Sequence, residues 1–283
     1  MRVNSILVLM LSLICGFARA EESPDPGAEL DVVLSKAIDA ERRDDFKSAL
    51  EVYSQAVKSF PAYSRAWAAY GEHLRFYAHD FKQAEAAFRR AILEGHDSRA
   101  TAFAWRGLGE LEAKEGHDAR AVEMFERSLK EMPLVDTYRS LCHLMVMQHD
   151  WAAAARYSKL AADLEPSDPI ALLLLASQLH RAGKIEEGRT DFKKALSMAG
   201  VDENGHATGP VHCCVLYNAA GYLGVVGEKN ESLNMLESFF KTPNHLHLSR
   251  EQIADDPDFT LVKSEPRFTT MLKEYTVPQT QKK

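Results

Sequence analysis

The feature that most constrains this chain is a residue spacing that recurs about every 34 residues and is clearest between Ala104 and Pro133. Trp105, Leu108 and Gly109 lie in one apolar-periodic segment, Ala121 and Phe125 lie in the next, and Pro133 closes the unit. Two antiparallel helices account for that spacing. Gly109 and Ala121 carry little or no side chain and allow a close approach, while Trp105, Leu108 and Phe125 fill the space on either side. Pro133 stops the second helix because it lacks an N–H and clashes with the preceding turn. A hairpin of this length cannot bury its apolar faces alone, so such a chain stacks its repeats.

The same positions return along the chain. Phe46, Ala49, Tyr53 and Ala56 reappear 35 residues later as Phe81, Ala84, Phe88 and Ala91, with the extra residue assigned to the turn at His79-Asp80. The first hairpin begins near Leu30, with Lys36 where leucine is usual. The second opens with Trp67 and Gly71 and ends at Gly95. A fourth carries Leu141, Cys142, Trp151, Ala154, Ala161 and Pro166, and a fifth Leu172, Leu175, Ala176, Leu179, Gly183, Phe192 and Ala195, with Gly188 where alanine is usual. After the polar stretch Val201–Pro210, a sixth places Leu216, Ala220 and Leu223 before Gly227, and Ser232, Leu236 and Phe239 after it. Apolar residues three and four apart give each segment an amphipathic helical face.

The spacing W-x2-L-G, A-x3-F and a closing proline resembles the tetratricopeptide repeat from about Leu30 to Leu272. The departure is Glu112, where tyrosine is usual. The segment D-P-D-F-x3-K-x2-P-R-F-x2-M-L, Asp256 to Leu272, is similar to the closing segment of bacterial members. The resemblance implies an all-α, right-handed superhelical solenoid of about six hairpins with a helical C-terminal cap, in which Phe259, Leu261, Phe268 and Leu272 cover the last hairpin. Ser249 with Gln252 reads as a capping box, and Pro266 marks another helix start. The expected divisions are a leader at 1–20, a flexible lead-in at 21–29, the repeat array at 30–241, the cap at 242–276 and a frayed tail at 277–283. In this family the first helix of each pair faces a concave groove that holds a peptide or partner protein. The corresponding positions here are Glu72, Arg75, Arg106, Glu110, Arg139, His143, His180 and Tyr217. Chaperone-binding members grip a carboxylate with lysine and asparagine; this chain has Leu34 and Ile38 at the corresponding positions of its first repeat.

Arg2, the apolar run Ile6–Cys15 and the small-x-small site Ala18-Arg19-Ala20 read as a cleaved secretory signal, which predicts an exported protein, periplasmic or secreted. The chain carries 34 basic and 41 acidic residues, and losing the leader removes two more arginines. An acidic balance with no basic stripe argues against nucleic acid or an anionic membrane as partner. Cys142, Cys213 and Cys214 remain after cleavage, an odd count that does not make a disulfide scaffold. No phosphate-binding loop, HExxH, GxSxG or paired CxxC motif is present. These features predict a non-catalytic scaffold without a cofactor, binding a protein or extended peptide along its groove. Two other readings stand beside it. His212, Cys213 and Cys214 could serve a metal- or redox-responsive protein, although adjacent cysteines lack the usual zinc-ligand spacing. Hairpins packing between copies would make a self-assembling homo-oligomer.

Overall fold

The computed structural model describes residues 26–202, 205–207, 213–242 and 250–275. The expected leader at 1–20, His212, Ser249 and the expected tail lie outside these. Fourteen α-helices run through the described residues. The first hairpins are α1 (Pro26–Glu41) with α2 (Phe46–Ser59) and α3 (Ser64–His73) with α4 (Phe81–Glu94); α5 (Ser98–Lys114) and α6 (Asp118–Glu131) follow in the chain. Next come α7 (Val135–Met147) with α8 (Trp151–Leu164), α9 (Pro169–Arg181) with α10 (Ile185–Ala199), and α11 (Cys213–Val226) with α12 (Lys229–Lys241). The cap is α13 (Arg250–Asp255), a 3-10 turn (Pro257–Phe259) and α14 (Pro266–Tyr275). The chain forms two compact units, Met1–Glu115 and Gly116–Lys283, and the boundary falls between α5 and α6.

Local chemistry sets these bounds. Pro61, Pro133 and Pro166 each stand two residues beyond the last residue of a second helix, where a missing N–H costs nothing. Asp45, Asp80 and Asp150 cap α2, α4 and α8 by accepting from the N–H groups of Ser48, Gln83 and Ala153 at 3.0–3.1 Å. Each such cap contributes about 1 kcal/mol. The residue before each cap, Asp44, His79 or His149, takes a left-handed conformation at φ 54–58°. The turns before α10 and α12 solve the same problem differently. Gly183 and Gly227 supply the left-handed residue at φ 80° and 85°, and the next residue, Lys184 or Glu228, makes no side-chain cap. The helix starts at Pro26 rather than near Leu30, because proline at the first helical position needs no donor.

In the first unit, the additional residue of the second hairpin is not taken up in the turn, as the sequence suggested. It is absorbed by a π-helical turn, Leu74–Ala78, ahead of His79. That turn brings Tyr77 onto Phe46, stacked with ring centroids 4.3 Å apart. One turn back, buried His73 sets its Nδ1 2.7 Å from Glu41 Oε1. Glu41 also accepts from Tyr53, whose phenol burial pushes well above its ordinary pKa, with Glu41 adding to the effect. The packing centre is Phe88 on α4, which is fully buried. Its ring lies between Gly71 of α3 and Gly107 of α5, where added Cβ atoms would fall 2.7 and 2.4 Å from ring carbons.

In the second unit, one core joins α9–α12 to the cap through Leu173, Phe192, Leu236, Phe239, Ile253 and Phe259. Val262, not Leu261, turns inward from the cap: Val262 is fully buried and Leu261 is 50 % exposed. The turn after Phe259, closed by the Val262 N–H donating to Phe259 O at 2.9 Å, sets that choice. Asp258 rests on α11, where Cβ atoms at Gly221 and Gly224 would come within 2.8 Å of its Oδ2 and 2.5 Å of its carbonyl oxygen. Arg181 of α9 donates to Asp258 Oδ1 at 2.5 Å from a site nearly closed to water. The cap is therefore part of the second unit's core.

Candidate partner-binding site

The predicted first-helix positions fall into three situations. Glu72, Arg75, Arg106 and Glu110 meet one another in the first unit. Arg75 Nη2 lies 2.7 Å from Glu72 and its Nη1 2.8 Å from Glu110. Arg106 completes the ring at 3.0 Å from Glu72 and from Glu110. All four side chains are 10–21 % exposed, so the ring is mostly shut off from water. Burial pushes the Glu72 carboxyl above its ordinary range, and the two guanidiniums oppose that. The arginines also lie over aromatic rings, Arg75 3.7 Å above Phe76 and Arg106 5.2 Å from Phe103. A ring that balances its own charges orders the face and offers few spare donors.

Arg139 and Tyr217 are likewise held from within. Arg139 reaches Glu165 at 3.0 Å and Asp168 at 3.2 Å, tying α7 to the loop that enters α9. Tyr217 donates to Asp256 Oδ2 at 2.7 Å and sets its ring against Phe239 and Phe259. Burial, then the Asp256 charge, pushes its phenol far above the ordinary value. Sequence reasoning placed Tyr217 on an open face, but the partner that covers it comes 39 residues later. His180 lies half-buried, edge-on to Tyr222 at 6.4 Å, and burial followed by Arg189 and Arg181 lowers its pKa.

His143 is different. It is exposed on α7 at the mouth of a cavity of about 440 Å³ between α7, α8, α9 and the cap. Val146, Ala171 and Leu174 make apolar wall; Arg139, Gln178 and Arg181 line one side, and Gln252 and Asp255 of the cap reach solvent on the other. The first unit has a cleft of similar size, about 430 Å³, walled by Leu34, Ile38, Ala68, Ala69, Ala100 and Phe103. Arg65 and Arg99 stand at its rim, Arg65 already bonded to Asp31 at 2.6 Å. Leu34 and Ile38 thus build an apolar wall where a carboxylate clamp would need donors. Gln252 and Asp255 were missed as site residues because nothing local shows that the cap folds back beside α7. Among the predicted positions, the structure brings Arg139 and His143 to the cavity beside the cap and Glu72 to the edge of the first-unit cleft.

Among the described residues, Cys142, Cys213 and Cys214 are free thiols. Cys213 is buried in the core that joins α9–α12 to the cap. Burial, followed by its neighbour Cys213, pushes the Cys214 thiol up to about 11, and burial pushes Cys142 up to about 12. Thiols held this high remain protonated near neutrality and are poor metal ligands and nucleophiles. Maleimide labelling of the native protein at pH 8 should therefore modify Cys142 and Cys214 at least roughly a hundredfold more slowly than in the unfolded chain. Labelling at the unfolded rate would show that one of these thiols is open. His206, which precedes the cysteine pair in the chain, is tied to Asp202: its backbone N–H donates to Oδ1 at 2.9 Å and its Nδ1 lies 3.1 Å from Oδ2.

Paired helices closed by small residues, prolines and a docked cap define an all-α protein of stacked hairpins. Residues 34–75 and 73–134 match the tetratricopeptide repeat family model. Comparison with curated proteins gives no match. Among solved structures, the type IV pilus biogenesis factor PilW is similar with a TM-score of 0.55 at 18 % identity, over 86 % of this chain and 98 % of that one. PilF of Pseudomonas aeruginosa is similar with a TM-score of 0.53 at 14 % identity, over 74 % and 90 % respectively. At these identities the likeness is one of fold. The family match covers residues 34–134, and α7–α12 continue the same hairpin fold.

Proposed function

We propose that this protein is a non-catalytic, exported scaffold that holds an extended peptide or a partner protein against its first-helix faces. One observation carries the reading: the cavity beside α7 combines apolar walls from Val146 and Leu174 with exposed polar groups from His143, Gln252 and Asp255. That mixture of apolar area and a few exposed polar groups suits a peptide chain. The interlocked Glu72–Arg75–Arg106–Glu110 ring and the capped Tyr217 serve as framework, which moves the expected contacts to His143 and the cap. The leader-like segment at residues 1–20 supports export, with the periplasm or the exterior as destination.

The test is photo-crosslinking in the native envelope, with a benzoylphenylalanine placed at His143 and, as control, at exposed Glu126. The expected result is a discrete adduct from position 143 in the envelope fraction, absent from position 126 and lost with Leu174→Glu. Equal adducts from both positions would overturn the cleft assignment. Adducts confined to the cytoplasm would overturn export.

A further inference from the structure

The second unit carries another groove, formed on different helix faces. Helix α8 opens with the run Trp151-Ala152-Ala153-Ala154-Ala155, and Ala152 and Ala155 face a gap between α8 and α10 of about 870 Å³. The gap is floored by α9 through Leu175, Leu179 and Ala182, at the i, i+4, i+7 spacing of one helical stripe. Both α8 and α10 pack against α9. Helix α10 is drawn in at Gly188, where a Cβ would lie 2.8 Å from Ala176 O. Small side chains thus open the groove along its length. Its α8 wall runs from Ala152 to Asp163, about 17 Å at the helical rise, or roughly three turns.

The rims differ in the sign of their net charge. Arg156 and Lys159 outnumber Asp163 on α8, while Glu186, Glu187 and Asp191 outnumber Lys184 at α10. Their existing ion pairs are loose: Lys159–Asp163 at 3.0 Å and Lys184–Glu187 at 3.4 Å join side chains that are 56–63 % exposed. Such pairs contribute little and exchange readily for a partner's charges. Between the rims, Leu160 is 39 % exposed, and Ile185 stands 46 % exposed at the start of α10. An extended strand would find no sheet edge here, because the walls and floor are helices whose backbone groups bond within themselves. A helix lying in the gap would meet apolar floor below and charges at helical spacing on both sides.

We propose that this groove docks an amphipathic helix of a partner protein, about three turns long, whose apolar stripe is flanked by acidic residues toward α8 and basic residues toward α10. Opposite rims set the direction in which the helix lies, because turning it end for end would oppose like charges. The assignment is independent of the cavity at His143, which lies against α7 and the cap.

The test uses the full chain and three labelled 14-residue helical peptides that share a leucine stripe. One carries glutamates on one flank and lysines on the other, one carries glutamates on both, and one carries lysines on both. Fluorescence anisotropy should show the mixed peptide binding at least about tenfold more tightly than either single-sign peptide. Leu160→Asp, an exposed position whose folding is checked by circular dichroism, should abolish that binding. Reversing both rims with Arg156→Glu, Lys159→Glu, Glu187→Lys and Asp191→Lys should preserve affinity but turn the peptide end for end, read by a spin label at its N-terminus. Equal binding of the three peptides, no binding up to about 1 mM, or indifference to Leu160→Asp overturns the proposal. So does self-association that Leu160→Asp abolishes, which would put a second copy in the groove.

Discussion

Phe88→Ala should destabilise the first unit by about 3–5 kcal/mol, read as lost hydrogen-exchange protection across α3–α5 with the amides of α9–α12 unchanged. The ring is fully buried and sits against Gly71 and Gly107 on two other helices. Its removal leaves a cavity that three helices border, and helices held by backbone packing collapse poorly into such a space. The glycines make the argument testable from the other side. At an ordinary helical site, Gly107→Ala would stabilise by up to about 1 kcal/mol through helix propensity. Here the new methyl would stand 2.4 Å from a ring carbon, and overpacking costs about 1–3 kcal/mol. Gly107→Ala should therefore destabilise, and combining it with Phe88→Leu should recover part of the loss. A stabilised Gly107→Ala protein would show that the ring is not wedged.

Arg181→Ala should destabilise the second unit by about 3–5 kcal/mol at pH 7, because it leaves the Asp258 carboxylate buried without its cation. The loss should depend on pH with a defined sign. Burial raises the Asp258 pKa and Arg181 opposes the rise, so removing Arg181 lets the folded-state pKa climb further above its unfolded value of about 3.9. A carboxyl with a raised folded-state pKa contributes stability that is fully present below the unfolded pKa and lost as pH rises through the folded one. The gap between variant and wild type should therefore narrow from pH 7 to pH 4, measured by denaturant midpoints of the second unit. Adding Asp258→Asn should remove most of that dependence. A gap of constant size would mean that Asp258 finds water or another partner in the variant.

The hairpins were legible because their markers are steric demands that leave little choice. Gly71, Ala84, Ala121 and Ala154 stand where helices touch, and Pro61, Pro133 and Pro166 where second helices end. The cap was legible for a different reason, the resemblance of Asp256–Leu272 to a closing segment in which Phe259 and Phe268 cover the last hairpin. What the pattern did not reveal was how polar residues pair between repeats. Glu72, Arg106 and Glu110 lie on first helices and Arg75 in the π-helical turn after α3, but a list of outward positions does not say that two acids and two bases will neutralise one another. Tyr217 and Arg181 find their partners in the cap, beyond the reach of any local spacing. The π-helical turn at Leu74–Ala78 was hidden as well, because one additional residue fits a turn or a helix equally well on paper. It was the aromatic contact between Tyr77 and Phe46 that decided.

Arg181 and Asp258 are separated by 77 residues, which imposes an order in time during synthesis. At roughly 5–20 residues per second, about 4–15 s pass between the making of the arginine and of its carboxylate. Through that interval α9–α12 have emerged, or are emerging, with the surface that Phe259, Val262 and Phe268 will cover still open to solvent. The early hairpins can close as fast as they are made, whereas the later ones wait on the last stretch of the message. A nascent chain stalled before Asp258 would hold its first unit complete and its second sticky, and that waiting period is when a holding chaperone would matter most.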